Sequence, residues 1–126
     1  MKNLVITLVT LIIMIVTMSF SIKYLNNVSD ELVSLNEEIQ ENITDDNWDK
    51  AYENTMELTE KWNNYSKKIK IFINHQEIDS IEIELQKLPQ YIKEQTKDES
   101  LASIHVLSFL LEHIAKLEKI KLENIF

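Results

Sequence analysis

The strongest constraint on this chain is an absence. Its 126 residues include no glycine and only one proline, Pro89. Strand-rich domains rely on tight hairpin turns, and the favoured ones need residues at positive φ, a conformation glycine adopts at least cost. Long helices joined by short polar turns have no such requirement. The chain is therefore expected to be all-α. With 44% of residues apolar, it is not a disordered sequence, and its length suits one small domain with one core.

Residues 4–22 form a run of 19 without a charge, bounded by Lys2 and Lys23. At ~1.5 Å per residue a helix of this length covers roughly 28 Å, close to the ~30 Å hydrocarbon thickness of a bilayer. Thr7, Thr10, Thr17, Ser19 and Ser21 are compatible with a span, because their hydroxyls can bond back to the helix. A cleaved signal peptide would have a shorter apolar core of ~7–15 residues and small residues at the cut. Here Ser19 and Ser21 offer only a poor site, so an uncleaved transmembrane anchor is expected. Lys2 on one side, with acids following Lys23 on the other, favours a cytoplasmic tip at residues 1–3 and an extracytoplasmic C-terminal domain. The expected location is the cell membrane, with a single pass.

The net charge is −8, and it is unevenly distributed. Residues 23–60 hold eleven acids and two lysines, whereas residues 61–126 hold ten of each. An acidic stretch beside the span is repelled by anionic lipid and by nucleic acid, so no nucleic-acid partner is expected. The lack of cysteine excludes disulfides, thiol catalysis and lipidation through Cys. All thirteen basic residues are lysine. Together with abundant Ile and Asn, this composition looks like the product of an AT-rich bacterial genome.

Beyond the apolar run, Leu25, Val28, Leu32, Leu35, Ile39 and Ile43 repeat at steps of three and four, a helical stripe of coiled-coil character. No breaker separates this stripe from the span, so one continuous helix from Leu4 to about Ile43 is expected. Thr44 should then cap a second helix from about Asp45 to Ile73, with Asp45, Asp46 and Asp49 in its positive first turn. The stripe of that helix is Trp48, Ala51, Thr55, Leu58, Trp62, Tyr65, Ile69 and Phe72. Asn74 and Glu77 form a capping-box pattern that opens a third helix. That helix carries Ile78, Ile81, Leu85, Leu88 and Ile92, and Pro89 should kink or end it near Leu88. Thr96 and Glu99 repeat the box before a last helix, which runs to about Leu122. This helix is the most apolar and should touch two neighbours, and the closing Ile125-Phe126 should dock on the bundle. The expected architecture is a transmembrane helix continuing into a small antiparallel three- to four-helix bundle, with a juxtamembrane helix at 23–43 and the bundle domain at 44–126.

Trp62, Phe72, His75-x-Glu77-Ile78-Asp79, Leu85-x-x-Leu88, Tyr91-Ile92, the apolar stretch from 107 to 114 and the closing Leu122-Glu-Asn-Ile125 resemble a bacterial family catalogued as "domain of unknown function 4363". The resemblance covers most of residues 45–126. It implies a small membrane-anchored helical protein of firmicute-type bacteria. It also implies a partner by analogy, since genes of this family often lie beside that of a small multi-pass membrane protein.

No residue pattern points to catalysis. His75 and Asp79 lie one helical turn apart and are the candidate metal ligands. Two ligands fall short of the four of a structural zinc site, so Glu77 is read as a cap and His75 as a turn residue bonding Asp79. His105 and His113 are ~12 Å apart along a helix, too far to share a metal. Trp48, Trp62, Tyr65 and Phe72 could line a pocket, though aromatics at helical spacing usually form core. Asp45, Asp46 and Asp49 lack the glycine-bearing loop of an EF-hand. No cofactor and no enzymatic activity are expected. The partner-binding candidates are the stripe residues Leu25, Val28, Leu32, Leu35, Ile39 and Ile43, which should pack on another protein or on the domain's own bundle. Two functions fit: a membrane-anchored helical interaction module accessory to a multi-pass membrane protein, or an extracytoplasmic helical bundle that senses a ligand or metal.

Overall fold

A computed structural model describes residues 1–71 and 73–125, with only the backbone described at Lys121, Leu122 and Ile125. The expectations for Phe72, for the side chains of Leu122 and Ile125, and for docking of Phe126 lie outside the described residues. The chain forms α1 (Lys2–Thr44), α2 (Trp48–Ile69), α3 (His75–Lys93) and α4 (Lys97–Ile125). No strand occurs among the described residues.

The 43 residues of α1 span roughly 64 Å, and the helix has two unlike halves. An eighteen-residue apolar window in the first half buries none of its surface and is long enough to cross a membrane. The second half is one wall of the domain. It packs against α2 and α4, which in turn pack against α3, closing a ring of four helices. Ser29 meets Leu111, while Asn36 meets Ile104. The partner number falls as the α1 number rises, so the two helices are antiparallel. Leu25, Val28, Leu32, Leu35, Ile39 and Ile43 of this half are part of the buried core.

The turns explain how a chain without glycine closes this ring. At the end of α1, Asp46 N–H donates to the Ile43 carbonyl and Asn47 N–H to that of Asn42. At the end of α3, Gln95 N–H donates to Ile92 and Thr96 N–H to Tyr91. Both are Schellman motifs, whose key residue takes the left-handed conformation and is usually glycine. Here Asp46 has φ 61° and Gln95 φ 55°.

These turns correct several expected caps. Thr44 ends α1, with its hydroxyl donating to the Gln40 carbonyl, and α2 begins four residues later, at Trp48, behind Asn47. Asp45 caps the C-terminus of α1, and of the three acids only Asp49 lies in the first turn of α2. α2 stops at Ile69, short of Ile73. Thr96 turns its hydroxyl back to the Tyr91 carbonyl instead of forward into α4. Asn74 does cap α3, accepting from Gln76 N–H. Pro89 does not end that helix, which continues to Lys93.

The core draws on every helix. Leu32, Ile39, Leu58, Trp62, Ile81, Leu88, Ile104 and Leu107 are essentially inaccessible. As its wide apolar arc required, α4 touches two neighbours, α1 and α3.

Candidate functional site

Where α1 faces α2, Glu31 accepts from Lys61 Nζ at 2.7 Å and from the Tyr65 hydroxyl. Tyr24 meets the Tyr65 ring edge-on at 6.4 Å. The hydrogen bonds from Lys61 and Tyr65 hold the Glu31 carboxyl below its ordinary range. The Glu31 carboxylate raises both Lys61 and Tyr65. Each group is thus fixed in its usual state at neutral pH, the reverse of what a proton-transfer pair needs. The cluster is a half-exposed clasp between helices. Periodicity does not single it out, because Glu31 and Lys61 merely flank apolar stripes, as charges flank a coiled-coil seam.

The seam between α1 and α4 is stitched by buried polar groups. Ser29 Oγ donates to the Leu111 carbonyl at 2.9 Å. Asn36 Nδ2 donates to the Ile104 carbonyl at 2.8 Å and to Ser108 Oγ at 2.9 Å. Residues 29 and 36 are one heptad apart, so both face α4. Small or polar residues here let the backbones approach closely and fix the register in a way apolar contacts alone would not.

The candidate metal ligands do meet. His75 Nε2 lies 3.7 Å from Asp79 Oδ2, but the two side chains are 81% and 53% exposed. No group of three potential ligands exists among the described residues. His113 stacks on Phe109 at 5.5 Å, while His105 is exposed. The aromatic residues of α2 do not converge on one pocket. Trp62 is in the core, whereas Trp48 lines an open groove of about 260 Å³ with Asp49, Tyr52 and Lys93 at the far end of the bundle. Lys93 Nζ sits 5.8 Å from the centre of the Tyr52 ring there.

The stripe Leu25, Val28, Leu32, Leu35, Ile39 and Ile43 is 0–8% exposed. It packs within the chain's own bundle, which leaves it no free surface for a second protein. The apolar surface that stays open lies elsewhere. It includes the first half of α1, Val106, Phe109 and Ile120 on α4, Ile83 on α3, Met56 on α2, and Ile71 in the turn after α2.

A family model described as "Domain of unknown function (DUF4363)" matches residues 19–125. No curated protein and no solved structure matches the chain.

Proposed function

The chain belongs to the DUF4363 family, and from that premise we propose that it is a membrane-anchored helical interaction module, accessory to a multi-pass membrane protein. The observation that carries this reading is the division of α1. Its first half is apolar and wholly bare, yet it continues without a break into a bundle whose core is closed. A bare apolar helix of this length is costly in water and at home in a bilayer. The anchor lies at residues 4–22, with residues 1–3 on the cytoplasmic side and the bundle outside.

Partner contact falls to the apolar surface left open. Among the exposed apolar residues of the bundle, which also include Ile71 and Ile83, we assign it to the outer face of α4, where Phe109 is 62% and Val106 41% exposed. Affinity purification of the tagged chain from membranes, followed by mass spectrometry, should recover a multi-pass protein. Phe109→Asp should lose it without lowering the melting temperature. Recovery unchanged by Phe109→Asp would refute the assignment of this face. Protease added to intact protoplasts should remove a C-terminal tag, whereas a tag protected until lysis would reverse the orientation. A mature N-terminus near Ser21 would refute the anchor.

A second reading, an extracytoplasmic ligand sensor, draws on the groove of Trp48, Asp49, Tyr52 and Lys93. An aromatic wall with one cation and one acid suits a small zwitterion. Thermal-shift screening of amino acids and amines against the full chain tests it.

A further inference from the structure

Three elements meet at the end of the bundle where α1 enters it. α1 arrives at Lys23 and Tyr24, with Tyr24 against Tyr65 near the end of α2. The turn from α2 to α3 lies at the same end, just past Ile69. α4 comes back down beside α1, as shown by its pairings of Lys97 with Thr44, Ile104 with Asn36 and Leu111 with Ser29. Carried on, this antiparallel register brings Lys23 level with the turn of α4 between Lys116 and Lys119. Lys23, Lys67, Lys68, Lys70, Lys116 and Lys119 are all exposed. From residue 67 to residue 75 there is no acid. Ile71 stands in the middle of these lysines at 84% exposure, in a turn whose α3 side is fixed by the Asn74 cap.

The opposite end has the contrary charge. Residues 37–53 hold seven acids and one lysine, and Glu94, Asp98 and Glu99 join them there, with Lys93 and Lys97. The acids nearest the lower end are exposed Asp30 and Glu112, one to two turns above the level of Lys23, Glu77 and Asp79 in the first turns of α3, with Asp79 facing His75, buried Glu118 and exposed Glu123 in the last turn of α4. The bundle is therefore polarised along its axis.

We propose that the Lys-rich lower end, with Ile71 at its tip, is a docking surface for an anionic lipid bilayer. This rests on the anchoring reading, since α1 then holds that end against the membrane it enters. The acidity of residues 23–60 does not oppose docking once the helix is built. Asp30, the nearest exposed acid of α1, is seven residues beyond Lys23 and so stands roughly 10 Å above it, beyond a screening length of ~8 Å at physiological salt, and Glu37 stands about twice as far. Glu31, the next residue after Asp30, is paired with Lys61. Lysines at headgroup level are drawn to anionic lipid, and an exposed isoleucine among them can enter the acyl boundary. The bundle would then stand on the membrane at three points instead of swinging on one helix.

The absence of native cysteine makes the test direct. Met14→Cys, Ile71→Cys and Asp98→Cys each give the full chain one labelling site: in the anchor, at the tip and at the far end. Each labelled protein is reconstituted in phosphatidylcholine vesicles with or without phosphatidylglycerol, and quenching is measured with a headgroup nitroxide lipid for the labels at 71 and 98 and with an acyl-chain nitroxide lipid for the label at 14, which lies near the bilayer centre. The label at 71 should be quenched several-fold more than the label at 98 when phosphatidylglycerol is present. That excess should fall in its absence and in the Lys67→Glu, Lys68→Glu, Lys70→Glu variant. An unquenched label at 14 would overturn the anchoring reading. A quenched label at 14 with 71 no different from 98 would overturn the docking surface alone. Quenching at 71 that ignores both phosphatidylglycerol and the lysine changes would overturn its electrostatic basis.

Discussion

Replacing Gln95 by glycine should stabilise this protein, although glycine inside a helix ordinarily destabilises it. Gln95 has φ 55°, where its Cβ crowds the backbone at about 1–2 kcal/mol. Its N–H donates to the Ile92 carbonyl at 3.0 Å, and the next N–H donates to Tyr91 at 3.0 Å, so the backbone cannot relax without opening the turn. Gln95→Gly removes the crowding but adds about 0.4–1 kcal/mol of unfolded-chain entropy. The net gain is about 0.5–1 kcal/mol. Since 1 kcal/mol shifts a domain of ~100 residues by about 4–8 °C, a rise of about 2–8 °C is expected. The assay is thermal unfolding of the detergent-solubilised full chain, followed by circular dichroism. Gln95→Ala keeps the Cβ and should show no such rise. Asp46→Gly relieves the same strain at φ 61° but breaks the 2.8 Å ion pair with Lys97, so its gain should be smaller. If Gln95→Gly melts at or below the parent, the strain argument fails.

Leu32→Ala should cost about 2–5 kcal/mol, because Leu32 is fully buried. A full chain that melts unchanged would mean the stripe serves something other than its own core. Glu31→Gln should melt below the parent at neutral pH. The Glu31 carboxyl is held below its ordinary range, chiefly by Lys61, so its contribution is complete above that range and is lost as pH falls through the lowered value. The gap between the two melting curves should close in acid, and a gap constant from neutral pH down to strong acid would contradict the ion pair. Calorimetric titration of the full chain with zinc should show no micromolar site. A one-to-one isotherm abolished by His75→Ala would make His75 and Asp79 functional.

The sequence by itself determined the secondary structure and the division of labour along the chain. An absence of glycine, apolar residues at steps of three and four, and one uncharged run of 19 residues are local patterns. They specify helices, their inner faces and an uncharged N-terminal stretch of membrane-spanning length without reference to any partner. Local patterns could not say where the stripe of Leu25 to Ile43 finds its cover, since a stripe fits any complementary helix. The tertiary structure decided that, by placing α2 and α4 against it. Cap positions were misread for a related reason. Thr44 and Asp45 carry the side chains of an N-cap, but a Schellman turn through Asp46 satisfies the end of α1 first. The Glu31, Lys61 and Tyr65 clasp and the Asn36 stitch join residues 30 to 72 positions apart, a separation at which periodicity carries no information. The polarity of the bundle also became visible only in three dimensions. Lys67 to Lys70 and Lys116 to Lys119 are far apart in sequence, and antiparallel packing is what brings them to one end, beside Lys23.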